Sequence, residues 1–404
     1  MNLLNQLYEM TAFADIFQSP SVLLMLAIGL LLLYLGIAKQ YEPLLLVPIA
    51  FGVILANLPG GGMGVVPAEM IDLPGGRYMN LFEIASEFGL MNYLYYSLIK
   101  TGFLPPIIFM GVGALTDFGP MLRNLRLAFF GAAAQIGIFT VLLVSIALGF
   151  SPQEAASLGI IGGADGPTAI YTTIMLAPHL LGPIAIAAYS YMALVPVIVP
   201  LVANLLMTKK EFKINMREQD KLYPPKNEIK NLKTVKILFP IILGIIVAFF
   251  VPSSVPLLGM LLFGNLLKEI GTSTERLADA ATGPIMNTAT VFLGLAVGGT
   301  MTHEVFLDFQ TIGIVVGGFL AFAISIAGGI LAVKVYNLFA KKKINPLVGA
   351  TGLSAVPMAS RVANEVALEH DPSNHILQYC MASNISGVIG SAVAAGVLIS
   401  MLGG

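Results

Sequence analysis

The sequence predicts an all-α polytopic membrane protein with an internal two-fold repeat, whose interrupted helices, re-entrant or broken, meet near the membrane midplane. Three observations support this fold class. Hydrophobic residues make up 57% of the 404 residues and charged residues only 11%, whereas soluble domains carry about 25% charged residues. Several apolar stretches approach the roughly 20 residues that a helix needs to cross a bilayer. Two of these stretches are broken by polar and helix-breaking residues at corresponding positions.

The first interrupted stretch contains the carboxylate Asp165 among helix-breaking residues, in the run Gly162-Gly-Ala-Asp-Gly-Pro-Thr168. A charge near the midplane costs roughly 3 kcal/mol or more, and each unpaired backbone group costs several more. Such a group persists where protein encloses it or water reaches it. Sodium is a hard cation that prefers oxygen ligands, so Asp165 is the first candidate for an ion or proton site. The alternative is a solvated aspartate that caps the following helix.

The second interrupted stretch corresponds to the first when the chain is shifted by 190 residues. The shift pairs Gly159 with Gly349, Gly162 with Gly352, Pro167 with Pro357 and Ala169 with Ala359. Paired, broken hydrophobic segments in two halves indicate a transporter site at the midplane. We therefore expect a single membrane domain, 1–404, with repeat 1 at about 125–207 in a first half (1–207) and repeat 2 at about 311–402 in a second half (237–404).

The segment that joins these halves, 208–236, is polar and basic. It contains nine Lys and Arg residues and four Asp and Glu residues. Under the positive-inside rule this linker is cytoplasmic. The overall net charge of −1 gives no indication of a nucleic-acid partner, and the single cysteine, Cys380, excludes an internal disulfide framework.

Candidate ligands lie in the second interrupted stretch: Asn345, Gly349, Ser354, Arg361 and Asn364. Arg361 follows Ser354 by seven residues, so a continuous helix would place both on one face. An intramembrane arginine usually pairs with an acid or binds an anion. The alternative is that Arg361 marks a cytoplasmic helix end.

Three further candidates come from the long helical segments. Asn384 and Ser391 lie seven residues apart on the last helix, which indicates either a ligand face or a packing face. Tyr191 follows Asp165 by 26 residues and could return near it in a hairpin, where its hydroxyl could donate a proton. Membrane tyrosines also occur at the lipid interface, which is the alternative for Tyr191.

Three segments together resemble the membrane-embedded β subunit of the sodium-pumping, biotin-dependent decarboxylases, the group of oxaloacetate, methylmalonyl-CoA and glutaconyl-CoA decarboxylases. They are the runs 41–52 (YEPLLLVPIAFG), 162–168 (GGADGPT) and 384–391 (NISGVIGS). The second run is the most specific, and the resemblance extends over nearly the whole chain. We expect this family to supply the function.

The resemblance implies a subunit that decarboxylates carboxybiotin and couples this step to Na+ export while consuming a proton. Carboxybiotin would be presented by a partner and not attached to this chain. The implied partners are a biotinylated carrier or carboxyltransferase subunit and a small membrane subunit, in an oligomeric assembly. The implied location is the cytoplasmic (inner) membrane of a prokaryote, with several passes, among membrane lipid and without nucleic acid.

The resemblance also assigns residues. The sodium-site set carries over as Asp165, Asn345, Gly349, Ser354, Asn364, Asn384 and Ser391. The set that acts on carboxybiotin carries over as Asp165, Tyr191 and Arg361 for the reaction, and Arg361, Asn384 and Ser391 for binding the cofactor.

Two alternatives remain on the physical pattern alone. A sodium-coupled secondary transporter, either a carboxylate symporter or a cation/proton antiporter, would also carry paired interrupted helices and a midplane charge. A structural scaffold would gain nothing from buried Asp, Arg and Asn residues, so this class is disfavoured.

Overall fold

The computed structural model describes residues 19–40, 43–67, 70–73, 77–223, 231–307, 309–355 and 357–403. Residues 41 and 42 of the first resemblance segment and 224–230 of the basic linker therefore lie outside the described residues. The chain divides into two compact units. Unit 1 comprises Met1–Leu104 and Asn287–Val315, and unit 2 comprises Pro105–Met286 and Val316–Gly404. All the candidate site residues belong to unit 2.

The helices and strands follow in chain order. The first elements are α1 (Ser21–Ile37), α2 (Pro43–Ala56), the two-residue antiparallel strands β1 (Asp72–Leu73) and β2 (Arg77–Tyr78), and α3 (Leu81–Leu94), which continues as a π-helical turn over Tyr95–Ile99. Next come α4 (Leu104–Leu115), α5 (Gly119–Arg123), α6 (Leu125–Ala134), α7 (Ile136–Ala147), α8 (Pro152–Gly159), α9 (Gly166–Leu176), α10 (Leu181–Ala193) and α11 (Val195–Leu206). The linker contains α12 (Lys209–Phe212) and α13 (Met216–Leu222). The second half contains α14 (Leu232–Phe250), α15 (Met260–Ile270), α16 (Glu275–Ala280), α17 (Met286–Gly299), α18 (His303–Phe306), α19 (Phe309–Phe339), α20 (Leu347–Ala350), α21 (Met358–His370) and α22 (Leu377–Leu402).

Among the described residues, five helical stretches are long and apolar enough to cross a membrane, and two bent helix pairs raise this number to seven. The five are Leu125–Ala147, Leu232–Phe250, Glu275–Gly299, Thr311–Phe339 and Leu377–Leu402. Large apolar side chains remain exposed on them: Phe249 at the end of α14 is 82% exposed and Phe339 at the end of α19 is 86% exposed. Lipid, rather than water, is the solvent that suits such surfaces. The predicted class of an all-α, multi-pass membrane protein is confirmed.

Helices α8 and α9 form a first hairpin whose two ends lie together. Ser151 and Glu154 make a reciprocal capping box at the start of α8, and the Glu154 carboxylate lies 2.9 Å from Nε2 of His179, just beyond the end of α9. Hydrogen bonds from His179 and from Ser151 hold the pKa of Glu154 below its ordinary value. Gln153 donates to the carbonyl of Leu402, so this hairpin enters beside the C-terminal end of α22.

The turn of this first hairpin interrupts the helical backbone. Ile160–Gly163 forms a short 3₁₀ turn, and Ala164 adopts the left-handed conformation with φ of 55°. Asp165 is extended and caps α9, and Pro167 occupies the first turn of α9, where its missing N–H costs nothing. The chain therefore reverses here instead of continuing as one helix.

Helices α20 and α21 form a second hairpin that enters beside the opposite end of α22. Asn345 donates to the carbonyls of Phe212 and Ile214 in the linker. The ring of His370, at the end of α21, stacks on Phe212 at 4.1 Å. Asn364 accepts hydrogen bonds from the backbone N–H groups of Ile376, which caps α22, and of Leu377, at 2.9 and 3.1 Å. Both ends of the second hairpin thus lie on the linker side, and the first hairpin enters from the other side.

One expectation about the second hairpin is wrong. A continuous helix would place Ser354 and Arg361 on one face, but α21 begins at Met358 with Pro357 as its cap residue. Ser354 lies in the unwound turn before it. Proline lacks an N–H and begins a new helix more readily than it continues one. The single-domain division and the two-fold repeat of the sequence stay predictions.

Candidate ion site

Asp165 is buried at the turn of the first hairpin. The residue is 5% exposed, and its Oδ1 accepts a hydrogen bond of 3.1 Å from the backbone N–H of Thr168. It therefore caps α9, as one reading of the sequence proposes, but in an enclosed position instead of a solvated one. A helix N-terminus favours negative charge, which helps to hold an ionised carboxylate here.

The second carboxylate oxygen of Asp165 receives two serine hydroxyls from different elements. Ser354, in the turn of the second hairpin, donates to Oδ2 at 2.7 Å. Ser391, on α22, donates to the same oxygen at 2.9 Å. The backbone N–H of Ser354 also donates to the carbonyl of Gly163 at 2.9 Å. The two hairpin turns and α22 therefore meet directly at the carboxylate.

The meeting point lies roughly midway along a membrane-length helix. Helix α22 has 26 residues, so it is about 39 Å long at 1.5 Å per residue. Ser391 lies about 21 Å from its first residue on the same scale. A bilayer hydrocarbon core is about 30 Å thick. The hydroxyl of Ser391, and with it the carboxylate of Asp165, thus falls near the middle of this span.

Asn384 lies on α22 two turns before Ser391 and contacts the second hairpin. Its Nδ2 donates to the carbonyl of Leu353, the residue before Ser354. Its Oδ1 is buried and has no hydrogen-bond partner among the described residues. A buried oxygen of this kind is unfavourable unless another group supplies a contact.

Three predicted ligands of the second hairpin lie away from the carboxylate. The amide of Asn345 holds the linker, and its Oδ1 accepts from the backbone N–H of Leu347. The Oδ1 of Asn364 accepts hydrogen bonds from backbone N–H groups at the start of α22. Gly349 packs against Gly329 of α19, where a Cβ on either glycine would overlap the carbonyl of the other. The structure gives these three residues backbone and packing contacts and does not bring them together with Asp165.

Arg361 and Tyr191 are the remaining predicted site residues. Arg361 is exposed in the first turns of α21. Tyr191 is 6% exposed, and its ring lies edge-on to that of Phe319, with centroids 5.9 Å apart.

Two residues near the junction of the hairpin turns and α22 were not predicted as site residues from the sequence. The ring of Tyr189 fills the space where a Cβ on Gly166 would lie, and its hydroxyl is buried without a hydrogen-bond partner in the described part of the chain. Gln135, at the break between α6 and α7, is the other. A helix turns by about 200° over two residues, so the sequence alone does not tell whether Tyr189 or Tyr191 faces the aspartate. Gln135 lies in an apolar span with no local sign of a site.

Taken together, two hairpins that enter from opposite ends of α22 meet at a buried carboxylate near mid-span. Interrupted helices that present polar groups at this depth are typical of ion-coupled membrane transporters. The fold and this junction therefore define a polytopic membrane protein of that architectural class.

Comparison with known proteins then gives the particular family. The family model described as the Na+-transporting oxaloacetate decarboxylase beta subunit matches residues 21–402. The chain is 47% identical to the probable oxaloacetate decarboxylase beta chain of Vibrio cholerae, over 94% of this chain and 95% of that protein. It is also 47% identical to the methylmalonyl-CoA decarboxylase subunit beta of Propionigenium modestum, over 98% of both chains. Identity to the glutaconyl-CoA decarboxylase subunit beta of Acidaminococcus fermentans is 46%, over 94% of this chain and 93% of that protein.

The chain therefore belongs to the Na+-transporting decarboxylase beta subunits. The resemblance drawn from the three sequence segments is confirmed.

Proposed function

We propose that this chain decarboxylates carboxybiotin and couples the step to Na+ export across the cytoplasmic membrane. In this reaction the bond between the biotin nitrogen and the carboxyl carbon breaks, CO2 leaves, and the nitrogen takes up a proton. The observation that carries the proposal is the buried carboxylate of Asp165 at the meeting point of two opposed hairpins, in a chain of this family.

Asp165 holds the sodium ion in this proposal, and neutral oxygens of Ser354, Ser391 and Asn384 complete its surroundings. Hydroxyl and amide oxygens suit a hard cation. The unpartnered Oδ1 of Asn384 supports the assignment, because a cation would supply its missing contact. Ser391 offers a further argument: its Oγ lies 3.0 Å from the carbonyl of Val388. Its proton can therefore turn to that carbonyl and free a lone pair for the ion.

Sodium and a proton then compete for the same carboxylate. With sodium bound, Asp165 stays ionised; without it, a proton is the small cation that can neutralise a buried carboxylate. Alternation between the two links ion movement to the proton that decarboxylation consumes. We assign proton delivery to Tyr191, and Tyr189 is the neighbouring alternative because its ring lies against the Asp165 turn.

Arg361 holds the anionic carboxyl group of carboxybiotin, with Asn384 and Ser391 contributing to its binding. The exposed position of Arg361 on α21 supports this role, because a guanidinium is the side chain best suited to bind a carboxylate. A biotinylated carrier or carboxyltransferase subunit would present the cofactor from the linker side, in an oligomeric complex with a small membrane subunit in a prokaryotic inner membrane. For Asn345, Gly349 and Asn364 we propose that they position the second hairpin.

The substitution of Asp165 by asparagine, which replaces one carboxylate oxygen by an NH2 group, tests the proposal. Asp165→Asn removes the charge at nearly constant volume, so sodium-dependent decarboxylation and Na+ transport by the reconstituted complex should fall at least about a hundredfold. Asp279→Asn, at an exposed position of α16, is the matched control and should retain both activities. Wild-type rate and transport in Asp165→Asn would overturn the assignment.

A sodium-coupled secondary transporter is the second candidate, because the opposed hairpins also suit that class. It predicts sodium-driven solute uptake by liposomes that contain the purified chain and no biotin protein. The decarboxylase proposal predicts ion movement only when a carboxybiotin carrier is added.

A further inference from the structure

Gln135 lies at the break between α6 and α7, on an element that the sequence did not connect with the ion site. It is 6% exposed, hence more than nine-tenths buried. Its Nε2 lies 3.1 Å from the carbonyl of Gly131, 3.3 Å from that of Gly352 in the second hairpin and 3.4 Å from that of Gly387 on α22. An amide NH2 has two donors, so these carbonyls engage the nitrogen end of the side chain.

The oxygen end of Gln135 has no such partner. Oε1 is buried and accepts no hydrogen bond from the described residues. A Cβ placed on Gly163 would lie 3.9 Å from this oxygen and 3.1 Å from the Cβ of Ser391. Gly163 is the residue whose carbonyl accepts from Ser354, and Ser391 donates to Asp165. The free oxygen therefore faces the junction of the two hairpins and α22.

We infer that Oε1 of Gln135 is a further ligand of the sodium ion, contributed by the break between α6 and α7. The inference rests on the proposed function, in which sodium binds at this junction. A buried amide oxygen has given up its hydrogen bonds to water, and a hard cation replaces them. A neutral amide does not itself take up a proton at neutral pH, so this ligand stays available to sodium when the carboxylate is ionised.

An unpartnered amide oxygen alone would not make a site, and Asn265 shows the difference. Its Oδ1 is also buried without a partner among the described residues, and its Nδ2 donates to the carbonyls of Gly113 and Thr116. None of these groups belongs to the hairpins or to α22. Gln135 differs because its amide nitrogen contacts the second hairpin turn and α22, and its oxygen lies 3.9 Å from the Cβ position of Gly163 in the first hairpin turn.

The test compares Gln135→Met, which keeps the length but removes the oxygen, with Gln135→Glu, which keeps an oxygen at the same place. In the reconstituted complex, Gln135→Met should raise the half-saturating Na+ concentration for decarboxylation about tenfold and leave the maximal rate within about twofold. Gln135→Glu should stay closer to wild type in half-saturation. A second readout is the rise in Tm that Na+ causes in the purified chain, since a ligand stabilises the state it binds.

Asn265→Leu is the matched control. It should lower Tm without Na+ and leave the half-saturating Na+ concentration unchanged. Should Gln135→Met fail to fold, Gln135→Asn withdraws the oxygen by one methylene and makes the same comparison.

Unchanged half-saturation and an unchanged Na+-induced Tm rise in Gln135→Met would overturn the inference. An equal loss of maximal rate in Gln135→Met and Gln135→Glu at unchanged half-saturation would also overturn it, since that pattern indicates packing alone. The proposed function is judged separately by Asp165→Asn, which should abolish the Na+-induced Tm rise.

Discussion

Two serine hydroxyls from different elements converge on one oxygen of Asp165. Asp165 and Ser354 can be singled out from sequence because polar residues beside helix breaks are costly in an apolar chain, and Ser391 because it lies seven residues after Asn384 on the last apolar helix. The sequence does not predict that these side chains meet. It also does not predict that the amides of Asn345 and Asn364 bind backbone groups elsewhere. An asparagine amide serves a backbone carbonyl or an ion equally well, and only tertiary contacts decide between them.

Loss of either hydroxyl should weaken sodium binding more than it slows the reaction. Ser354→Ala and Ser391→Ala should each raise the half-saturating Na+ concentration about three- to tenfold, because one neutral contact contributes about 1 kcal/mol. In the double variant, the change in the free energy of Na+ binding should differ from the sum of the changes in the two single variants, since both hydroxyls share one carboxylate oxygen. Ser386→Ala on the same helix is the control, because Ser386 donates to the carbonyl of Ala128 instead. Na+ titration of decarboxylation measures all four; wild-type half-saturation in both single variants would contradict this account.

At the scale of elements, two short hairpins reach mid-span because glycines let them approach neighbouring helices closely. Gly349 and Gly329 lie so near each other that neither has room for a Cβ. A Cβ on Gly387 of α22 would likewise overlap the carbonyl of Gly352 in the second hairpin turn. The sequence predicts the breaks from glycine and proline. It does not predict which sides the hairpins enter from, because this depends on contacts such as that between Asn345 and the linker.

A substitution at Gly349 distinguishes its packing role from the ligand role predicted from the sequence. Gly349→Ala should destabilise the protein by about 1–3 kcal/mol through overpacking, with little change in half-saturating Na+. Gly317→Ala on α19 is the control, because no atom of the described residues lies within 4 Å of its Cβ position. In a helix interior this substitution should be neutral or stabilising by up to about 1 kcal/mol. Thermal unfolding in detergent measures both; an unchanged Tm together with weakened Na+ binding in Gly349→Ala would favour ligation.

At the scale of the whole molecule, the apolar composition and the basic linker predict the membrane class from the sequence alone. The number of spans is harder to predict, because hairpins, bent pairs and full spans all read as apolar stretches broken by Pro and Gly. Contacts between residues far apart in the chain, such as Asp165 with Ser391, depend on packing that local periodicity does not encode. The family resemblance indicates the reaction, sodium-coupled decarboxylation. The structure adds that the two hairpin turns and α22 meet at Asp165.

We propose that a sodium ion binds where Asp165, Ser354 and Ser391 meet. Thallium(I) can replace alkali cations and scatters strongly, so its anomalous signal locates the ion directly in crystals of the protein. We expect a peak within coordination distance of the Asp165 carboxylate and both serine hydroxyls, and we expect Asp165→Asn to abolish it. A peak elsewhere that persists in Asp165→Asn, with none at this junction, would contradict it.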